Sequence, residues 1–360
     1  MTPAELSRTV LRSVRGAVEE QELSVPVPAR IVVQPPPRPG CGDYASNVAL
    51  QLAKTAGRPA REVAEILRKR LAGSAGIARV EIAGPGFLNF TLGDGALIAL
   101  VREVLAQGDG YGGTRAGQGP DAFGPVDGSA AGGAREAVVD EVLARIDAVA
   151  GSGGRRGGGH PALAPVPYDL ATLTARLGSD EARWVLLRPA AQDPVRVPER
   201  PVQRESNPRF RVQYAYARVR ALVRNAGELG FVSEPGDVGR PLTDGGSSSS
   251  PEDRSAPTAQ PTPQQPTPPA QSLQALQTLL ATFPSAIEVA ARLRAPDRVV
   301  RHLEATADAF FRWHDLFPPL PVGEQKPLAV HRARLALAEA GGTVLANGLR
   351  LLGISAPEHL

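Results

Sequence analysis

Two stretches rich in glycine, proline and serine interrupt this 360-residue chain and limit how much of it can form a continuous core. Residues 239–271 contain a serine run followed by closely spaced prolines, with too few apolar side chains to offset the entropy lost on ordering. We therefore predict a disordered insert there. A chain of this length is expected to form about two domains. Its hydrophobic content of 42% is sufficient for a core in each.

The second stretch, residues 112–167, consists mainly of glycine, alanine and short polar residues. One helical segment interrupts it, because Val138, Val142 and Ile146 fall on one face of Arg135–Ala150. The sequence predicts a flexible linker that carries one helix, either docked on a domain or lying in solvent. This linker separates a first domain, residues 1–111, from a second, residues 168–360.

Residues 1–111 have the pattern of an α+β domain, in which helices pack on a small antiparallel sheet. The predicted helices are one near the N-terminus, one over Tyr44–Ala56, one that begins at Pro59 and a closing helix over Ala96–Ala106. Strands are predicted at Ile31–Val33, Val80–Ala83 and Phe87–Leu92. Gly42 and Asp43 are candidates for capping the second helix.

The last strand of this domain carries the most specific local signal. Side chains alternate across a strand, so Leu88, Phe90 and Leu92 share the face that we assign to the core, and Phe87 and Asn89 share the opposite face. An aromatic ring beside an amide can stack a base and hydrogen-bond its edge, as proteins do with unstacked RNA bases. The alternative is a purely structural role, with Phe87 packed under the closing helix and Asn89 capping a turn.

Residues 168–360 have the pattern of an all-α helical bundle. Its first long helix starts at the Ser206–Pro208 signal and carries an apolar stripe from Val212 to Ala226. The side chains placed outside that stripe are Arg209, Arg211, Gln213, Tyr214, Arg218, Arg220 and Arg224. Residues 210–225 contain no acidic side chain. Such a surface suits phosphate pairing and base stacking, and a merely solvated face is the alternative.

The rest of the bundle reads as helices separated by prolines. The predicted helices are Leu273–Thr282, Ala286–Leu293, Val299–His314 and Val330–Leu352, with Pro284, Pro296 and Pro327 as breaks. Leu303, Ala307, Phe310 and Phe311 are assigned to the core.

Charge and cysteine content narrow the possible sites. The formal net charge is only +3, so attraction for nucleic acid must come from local arginine clusters. Cys41 is the only cysteine, which excludes an intrachain disulfide and a cysteine-rich metal site. We predict no metal and no cofactor. No stretch approaches the ~20 apolar residues of a membrane span, and the N-terminus lacks a signal-type apolar run, so we expect a cytoplasmic protein without membrane contact.

Four segments resemble arginyl-tRNA synthetases. PGCGDYASNVALQLAK (Pro39–Lys54) and AGPGFLNFTL (Ala83–Leu92) are similar to the N-terminal tRNA-binding domain of that family. ESNPRFRVQYAYARVRALVRNA (Glu205–Ala226) and ANGLRLLGISAPEHL (Ala346–Leu360) are similar to its C-terminal anticodon-binding, or DALR, domain. The resemblance implies that the partner is tRNA, with arginine acceptors as a possible preference.

The resemblance also implies where RNA is contacted. In the synthetases, an aromatic and an amide at the motif positions of Phe87 and Asn89 contact the tRNA D-loop. Tyr44 and Asn47 belong to the neighbouring motif, where they are expected to organise the loop more than to touch RNA. The family's last residues lie against the anticodon loop, but His359 stands where arginine is usual and Leu360 where methionine is usual, which implies a weaker or altered contact. The predicted RNA-binding residues are Phe87, Asn89, Tyr44, Asn47, Arg209, Tyr214, Arg218, Arg220, Arg224, His359 and Leu360.

The catalytic domain that joins these two domains in the synthetases is missing between them here. Class I synthetases activate the amino acid with an HxGH-type motif and a KMSK-type lysine loop. None of the five histidines begins such a motif, and no lysine lies between Lys69 and Lys326. We therefore predict a non-catalytic tRNA-binding protein that has lost the ATP site. The alternative is a protein-interaction module that partners the true synthetase or an enzyme that uses aminoacyl-tRNA.

Overall fold

The structure, a computed structural model, describes residues 1–36, 41–93, 95–113, 133–150, 160–200, 204–239 and 268–360. The chain divides into two compact units. Unit 1 comprises Met1–Leu97 and the described part of Gly239–Thr278, and unit 2 comprises Ile98–Val238 and Leu279–Leu360. Residues 98–111 thus group with unit 2 and not with the predicted first domain. Residues 240–267 of the predicted insert, and 114–132 and 151–159 of the predicted linker, lie outside the described residues.

Unit 1 has the predicted α+β architecture. Its elements are α1 Pro3–Glu19, β1 Tyr44–Ser46, α2 Val48–Ala56, α3 Ala60–Leu71, β2 Ile77–Ala83 and β3 Phe87–Leu92. The three strands form an antiparallel sheet in the order β1-β3-β2. Leu6 and Val10 of α1 are fully buried in the same core as Leu88 and Phe90 of β3, which confirms the predicted inward face of that strand.

Two predicted elements of unit 1 are wrong. The helix predicted over Tyr44–Ala56 begins only at Val48, because residues 44–46 form β1 and pair with residues 88–90 of β3. The segment Ile31–Val33 is not a strand, and the adjacent Gln34 makes a single bridge to Ala45. In both places the sheet is completed by pairing between segments distant in sequence, which local side-chain spacing does not report.

Unit 2 is formed by packed helices. The remaining helices of the chain are α4 Gly95–Gln107, α5 Ala134–Val149, α6 Leu170–Leu177, α7 Ser179–Leu187, α8 Pro208–Glu228, α9 Pro268–Leu293, α10 Asp297–Leu316 and α11 Ala329–Leu351. Helices α4 and α9 each have residues assigned to both units. Trp184, Phe310 and Trp313 are among the largest side chains in the core of unit 2. Among the helices that the structure describes, none combines the length and the apolar character needed to cross a membrane.

Helix α5 lies where the sequence predicts a helix within the linker, and it is docked. Its Val138, Val142 and Ile146 are fully buried in unit 2, where α5 packs on α7 and α11. Arg135, which is 3% exposed, donates to the carbonyl of Ala164 at 3.5 Å and to five carbonyl oxygens in the last turn of α7 and the segment after it. These acceptors are Leu186 at 3.1 Å, Pro189 at 2.8 Å, Ala190 and Ala191 at 2.9 Å, and Asp193 at 3.2 Å. The helix therefore belongs to the body of unit 2.

Helix α9 is continuous through Pro284, where the sequence predicted a break. Proline lacks the N–H that would bond to the carbonyl of Leu280. That carbonyl accepts instead from Tyr111 Oη at 2.8 Å, and the carbonyl of Leu279 lies 3.0 Å from His302 Nε2. Side chains from other segments thus satisfy the helix backbone beside the proline. The helix also begins at Pro268, so the last four residues of the predicted insert are helical.

Candidate nucleic-acid interface

A cleft of about 550 Å³ opens beside β3 in unit 1, and we call it the β3 cleft. It brings together three of the predicted RNA-binding residues, Asn47, Phe87 and Asn89. Its other walls are Val32, Gln34, Pro35, Pro36, Cys41, Ala45, Ser46, Gln51, Ala83, Gly84 and Pro85. None of the described residues that line the cleft is charged. The cleft therefore offers an aromatic ring and neutral polar groups to a ligand.

Phe87 and Asn89 differ in exposure although they share one face of β3. Phe87 is 41% exposed, which argues against the alternative in which it packs under a helix. Asn89 is 8% exposed and stands in the middle of the sheet, between Ala45 of β1 and Glu81 of β2. Its amide makes no hydrogen bond with any residue that the structure describes. An amide can donate and accept hydrogen bonds, so both capacities remain available in the cleft.

Tyr44 and Asn47 have different roles from each other. Tyr44 is 1% exposed and belongs to the core, where burial and the nearby Asp43 carboxylate raise the pKa of its phenol. Its burial leaves no surface for RNA, so the prediction of an RNA contact at Tyr44 is wrong. Asn47 is exposed at the start of α2, where its Oδ1 accepts from Gln51 Nε2 at 3.1 Å.

Hydrogen bonds hold the loop before β1 against β3. This loop does not cap α2 as predicted. Asp43 Oδ2 accepts from the backbone N–H of Leu92 at 2.7 Å, and the Asp43 N–H donates to the carbonyl of Phe90 at 2.7 Å. Gly42 has a φ of 88°, and a Cβ there would lie 2.6 Å from the same Phe90 oxygen. Only glycine fits this approach, which places residues 44–47 along the cleft.

In unit 2, helix α8 buries the predicted apolar stripe, but two of the polar residues placed outside it are buried as well. Arg209 is 8% exposed and Gln213 is 2% exposed. Arg209 Nε lies 2.5 Å from Glu181 Oε2, and its guanidinium also donates to the side chain of Gln213. Gln213 Nε2 donates to Asp180 at 2.8 Å and to the carbonyl of Ser355 at 2.9 Å. Arg209 therefore joins α8 to α7 inside the protein, and the prediction that it faces RNA is wrong because its cation is already paired and buried.

Arg220 and Arg224 hold the C-terminal tail. Arg220 Nη2 forms an ion pair with Glu358 Oε1 at 3.0 Å. Arg224 Nη1 donates to the Glu358 carbonyl at 3.4 Å, and its Nη2 lies 3.4 Å from His359 Nδ1. Leu360, the last residue, is 59% exposed. The structure thus brings Arg220 and Arg224 of α8 together with Glu358 and His359 of the tail.

On the side of α8 that meets α10, an exposed cation and a column of aromatic rings form what we call the α8 surface. Arg218 is exposed and makes no ion pair or hydrogen bond with the residues that the structure describes. Tyr214 stacks between Phe210 and Phe311, at centroid distances of 6.0 and 5.6 Å. The guanidinium of Arg211 lies 4.8 Å from the centroid of the Phe311 ring. All three rings are half-buried, so their edges reach the surface.

Sequence reasoning missed Phe311 as a member of this surface, because helical spacing assigned it to the core beside Phe310. Phe310 is fully buried, whereas Phe311 is half-buried on the next position of α10.

The pKa of a nearby histidine, His314, is shifted by its surroundings. Burial lowers the pKa of His314, and the positive charge of Arg218 lowers it further. Among the described residues, no group of three or more histidine, cysteine or acidic side chains is placed to hold a metal ion.

Comparison with known proteins places both units in context. Residues 8–92 match the family model of the arginyl tRNA synthetase N-terminal domain, and residues 251–360 match that of the DALR anticodon binding domain. An arginine–tRNA ligase of Frankia alni is 53% identical over 112 residues, 31% of this chain and 20% of that protein. An arginine–tRNA ligase of Paenarthrobacter aurescens is 37% identical over 194 residues, 53% of this chain and 30% of that protein.

A solved structure agrees with this relationship at the level of the fold. The Thermus thermophilus arginyl-tRNA synthetase matches with a TM-score of 0.54 over 100% of both chains, at 13% sequence identity. The two matches lie in separate regions of the chain, one near each end. The chain is therefore similar to the arginyl-tRNA synthetases in a region that matches their N-terminal domain and in a region that matches their DALR domain. It spans 20% to 31% of the length of the first relatives that it matches.

Proposed function

We propose that this protein binds tRNA without aminoacylating it, in the cytoplasm, and that it uses one surface in each unit. The β3 cleft holds an unstacked base of the tRNA elbow, and the α8 surface with the tail contacts the anticodon arm. The observation that carries the proposal is an exposed Phe87 ring beside an Asn89 amide that makes no hydrogen bond with the described residues, both on one face of a strand.

The chemistry of the β3 cleft suits a nucleobase. The ring of Phe87 supplies a stacking surface, which accepts any base, and the Asn89 amide can hydrogen-bond the base edge. The absence of charge among the described lining residues favours the neutral base over the phosphate backbone. Because Asn89 is held between two neighbouring strands, its backbone is fixed in place before the ligand arrives, which reduces the entropy lost on binding.

The chemistry of the α8 surface suits the backbone and loop bases of a tRNA arm. Arg218 offers a guanidinium that no described residue pairs with and that can pair with phosphate, and the Tyr214 column offers ring edges and faces beside it. The family match of residues 251–360 to an anticodon binding domain supports this assignment. Preference for arginine acceptor tRNA is part of the proposal, because the relatives are named for arginine and tRNA.

The non-catalytic part of the proposal rests on the sequence between the two matched domains. Residues 93–250 contain one histidine, His160, and no lysine. Neither an HxGH motif nor a KMSK lysine loop can be formed there, so the donors that stabilise the activation transition state are missing.

The test has two measurements on the purified chain. Direct titration with tRNA at low salt should show binding that weakens as salt is added, because phosphate contacts release counterions. Arginine-dependent pyrophosphate exchange should stay at the background of a mock preparation from the same host. Exchange above that background would refute the non-catalytic proposal. Undetectable tRNA binding at low salt would refute the binding proposal and favour a protein-interaction module.

A further inference from the structure

The start of helix α9 contacts the loop that precedes β1, and both segments belong to unit 1. Gln274, on the second turn of α9, donates from Nε2 to the carbonyl of Gly42 at 3.1 Å and to Oδ1 of Asp43 at 3.0 Å. A side-chain amide nitrogen carries two N–H groups, so one glutamine can make both bonds. The second acceptor is a carboxylate, and hydrogen bonds to charged acceptors are the stronger kind. One side chain of α9 therefore holds two successive residues of the loop.

The Asp43 carboxylate connects this contact to the sheet. Its Oδ1 accepts from Gln274 of α9, and its Oδ2 accepts from the backbone N–H of Leu92 at 2.7 Å. The N–H of Asp43 donates in turn to the carbonyl of Phe90 at 2.7 Å. Asp43 thus joins α9 to the end of β3, with a different element bound to each carboxylate oxygen.

The loop leads directly into β1, which forms one wall of the β3 cleft. Strand β1 has only three residues, Tyr44–Ser46, so it can form few ladder hydrogen bonds with β3. Its position depends on the residues at its ends, and Asp43 immediately precedes it. Cys41 and Ala45 lie on either side of Asp43 in sequence and line the cleft, and Ala45 lies opposite Asn89 in the strand register. The hydrogen bonds of Asp43 therefore fix this wall relative to Asn89.

We propose that Gln274 is a positioning residue for the β3 cleft, which holds one wall in place for an RNA base without touching the base. Gln274 does not line the cleft, so it acts through Gly42 and Asp43. A wall that is held before the ligand arrives reduces the entropy lost on binding. This role rests on the proposed function, because an RNA base is the occupant.

This role also links the two regions that match known families. Gln274 falls in the region that matches the DALR domain, whereas the residues that line the cleft fall in the region that matches the synthetase N-terminal domain. A side chain from one matched region therefore supports the candidate site in the other.

The first measurement uses no RNA. Gln274→Leu in the full chain removes both donors and keeps a side chain that favours a helix. Exchange of the Asp43 and Leu92 amide hydrogens, followed by NMR, should be about tenfold faster or more in this variant. The reason is that a lost hydrogen bond to a charged group lets the loop open more often. Thermal unfolding shows whether the fold is retained, and unchanged exchange at both amides would overturn the proposal.

The second measurement is titration with tRNA. Gln274→Leu should weaken binding by about 2- to 12-fold, the range for ordering a mobile group at an interface. The salt dependence should not change, because no charge is removed. Combining Gln274→Leu with Phe87→Ala should weaken binding by less than the product of the two single losses, since both changes act on one cleft. Losses that multiply in full would show that Gln274 acts elsewhere and would overturn the proposal.

Gln277→Leu is the matched control. Gln277 is a half-buried glutamine of the same helix in unit 1, and its side chain makes no hydrogen bond with the residues that the structure describes. This variant should match the parent chain in amide exchange and in tRNA affinity. Equal changes in the Gln274 and Gln277 variants would overturn the proposal, because they would indicate a general effect on α9.

The two measurements separate this role from the proposed function. If the parent chain does not bind tRNA but Gln274→Leu accelerates exchange, the proposed function is wrong and the contact of Gln274 with the loop is confirmed. If the parent chain binds tRNA but exchange is the same in Gln274→Leu, the binding proposal stands and the positioning role is wrong.

Discussion

The β3 cleft and the α8 surface differ in charge and in how many of their polar groups already have partners. The described residues that line the cleft are uncharged, and among the described residues its central amide, Asn89, has no hydrogen-bond partner. On α8, by contrast, Arg209, Arg220 and Arg224 are all engaged within the protein, and Arg218 alone of the four predicted arginines has no ion pair or hydrogen bond among the described residues.

The difference separates two ways of contacting RNA. A neutral cleft with a ring and an amide recognises a base and adds little to the salt dependence of binding. An exposed arginine contacts phosphate, so it contributes to affinity for every tRNA and to the salt dependence. The number of arginines along a helix therefore does not give the number of phosphate contacts, because some of those arginines make ion pairs and hydrogen bonds within the protein.

The largest expected effect tests the structural role of Arg209. Glu181→Ala leaves the Arg209 guanidinium buried beside α7 without its carboxylate, at side-chain exposures of 10% and 5% in the native pair. Removing one partner of a buried pair typically destabilises a protein by about 3–5 kcal/mol. Urea unfolding measures this loss. Arg218→Gln is the control and should change the unfolding free energy by less than about 0.5 kcal/mol. Similar small losses in both variants would show that Arg209 is not a structural residue.

Protonation of histidines at low pH should change the folding stability of unit 2 and not that of unit 1. All five histidines lie in the sequence of unit 2. Burial lowers the pKa of His302 from 6.5 to about 4. Between these values the unfolded chain binds the proton and the folded chain does not, so stability is full above pH 6.5 and falls as the pH drops toward 4. The loss is limited to about 3 kcal/mol, at 1.36 kcal/mol per pKa unit.

Unfolding measured from pH 7 to pH 4 tests this, with His302→Gln as the comparison. Glutamine keeps an N–H for the Leu279 carbonyl but does not titrate, so the variant should lose less stability on acidification than the parent chain. Burial also lowers the pKa values of His314 and His331, which act in the same direction in both proteins. Identical pH profiles would contradict the assignment of His302 as a buried neutral group.

Binding of tRNA should depend on Phe87 through stacking. Phe87→Ala should weaken tRNA affinity by about 1–3 kcal/mol, the usual contribution of one stacked base. The salt dependence of binding should not change, because no charge is removed. Tyr168→Ala is the matched control, since Tyr168 is 38% exposed and lies outside both proposed surfaces. Equal affinities for Phe87→Ala and the parent chain would remove the β3 cleft from the proposed interface.

The smallest expected effect distinguishes the free arginine of α8 from its paired neighbour. Arg218→Gln should lower affinity for all tRNAs alike and make the salt slope shallower by about one phosphate contact. Arg220→Gln should instead loosen the tail that Glu358 anchors, an exposed ion pair contributing less than about 1 kcal/mol. Salt titrations of tRNA binding measure the first effect, and carboxypeptidase digestion of the C-terminus measures the second. A shallower salt slope in Arg220→Gln alone would reverse the two assignments.

Local pattern predicted the inward residues of β3, the apolar stripe of α8 and the helix at residues 134–149. In each case the reason is the same: side chains repeat with the period of the element, so the buried face can be identified from spacing. Side-chain spacing predicted the wrong secondary structure at Tyr44–Ser46 and at Pro284. The first became a strand because β3 offered it pairing partners, and the second stayed helical because Tyr111 and His302 satisfy the neighbouring carbonyls.

For the candidate site, the sequence alone determined the residue types and motifs that relate this chain to arginyl-tRNA synthetases, including Phe87 and Asn89 on one face of a strand. Only the tertiary structure decided which charges are available. Arg209 and Arg218 are nine residues apart on α8, yet Glu181 of α7 buries and neutralises the first and no described residue pairs with the second. The availability of a charge depends on partners brought close by folding, and those partners lie too far away in sequence for any local pattern to reveal them.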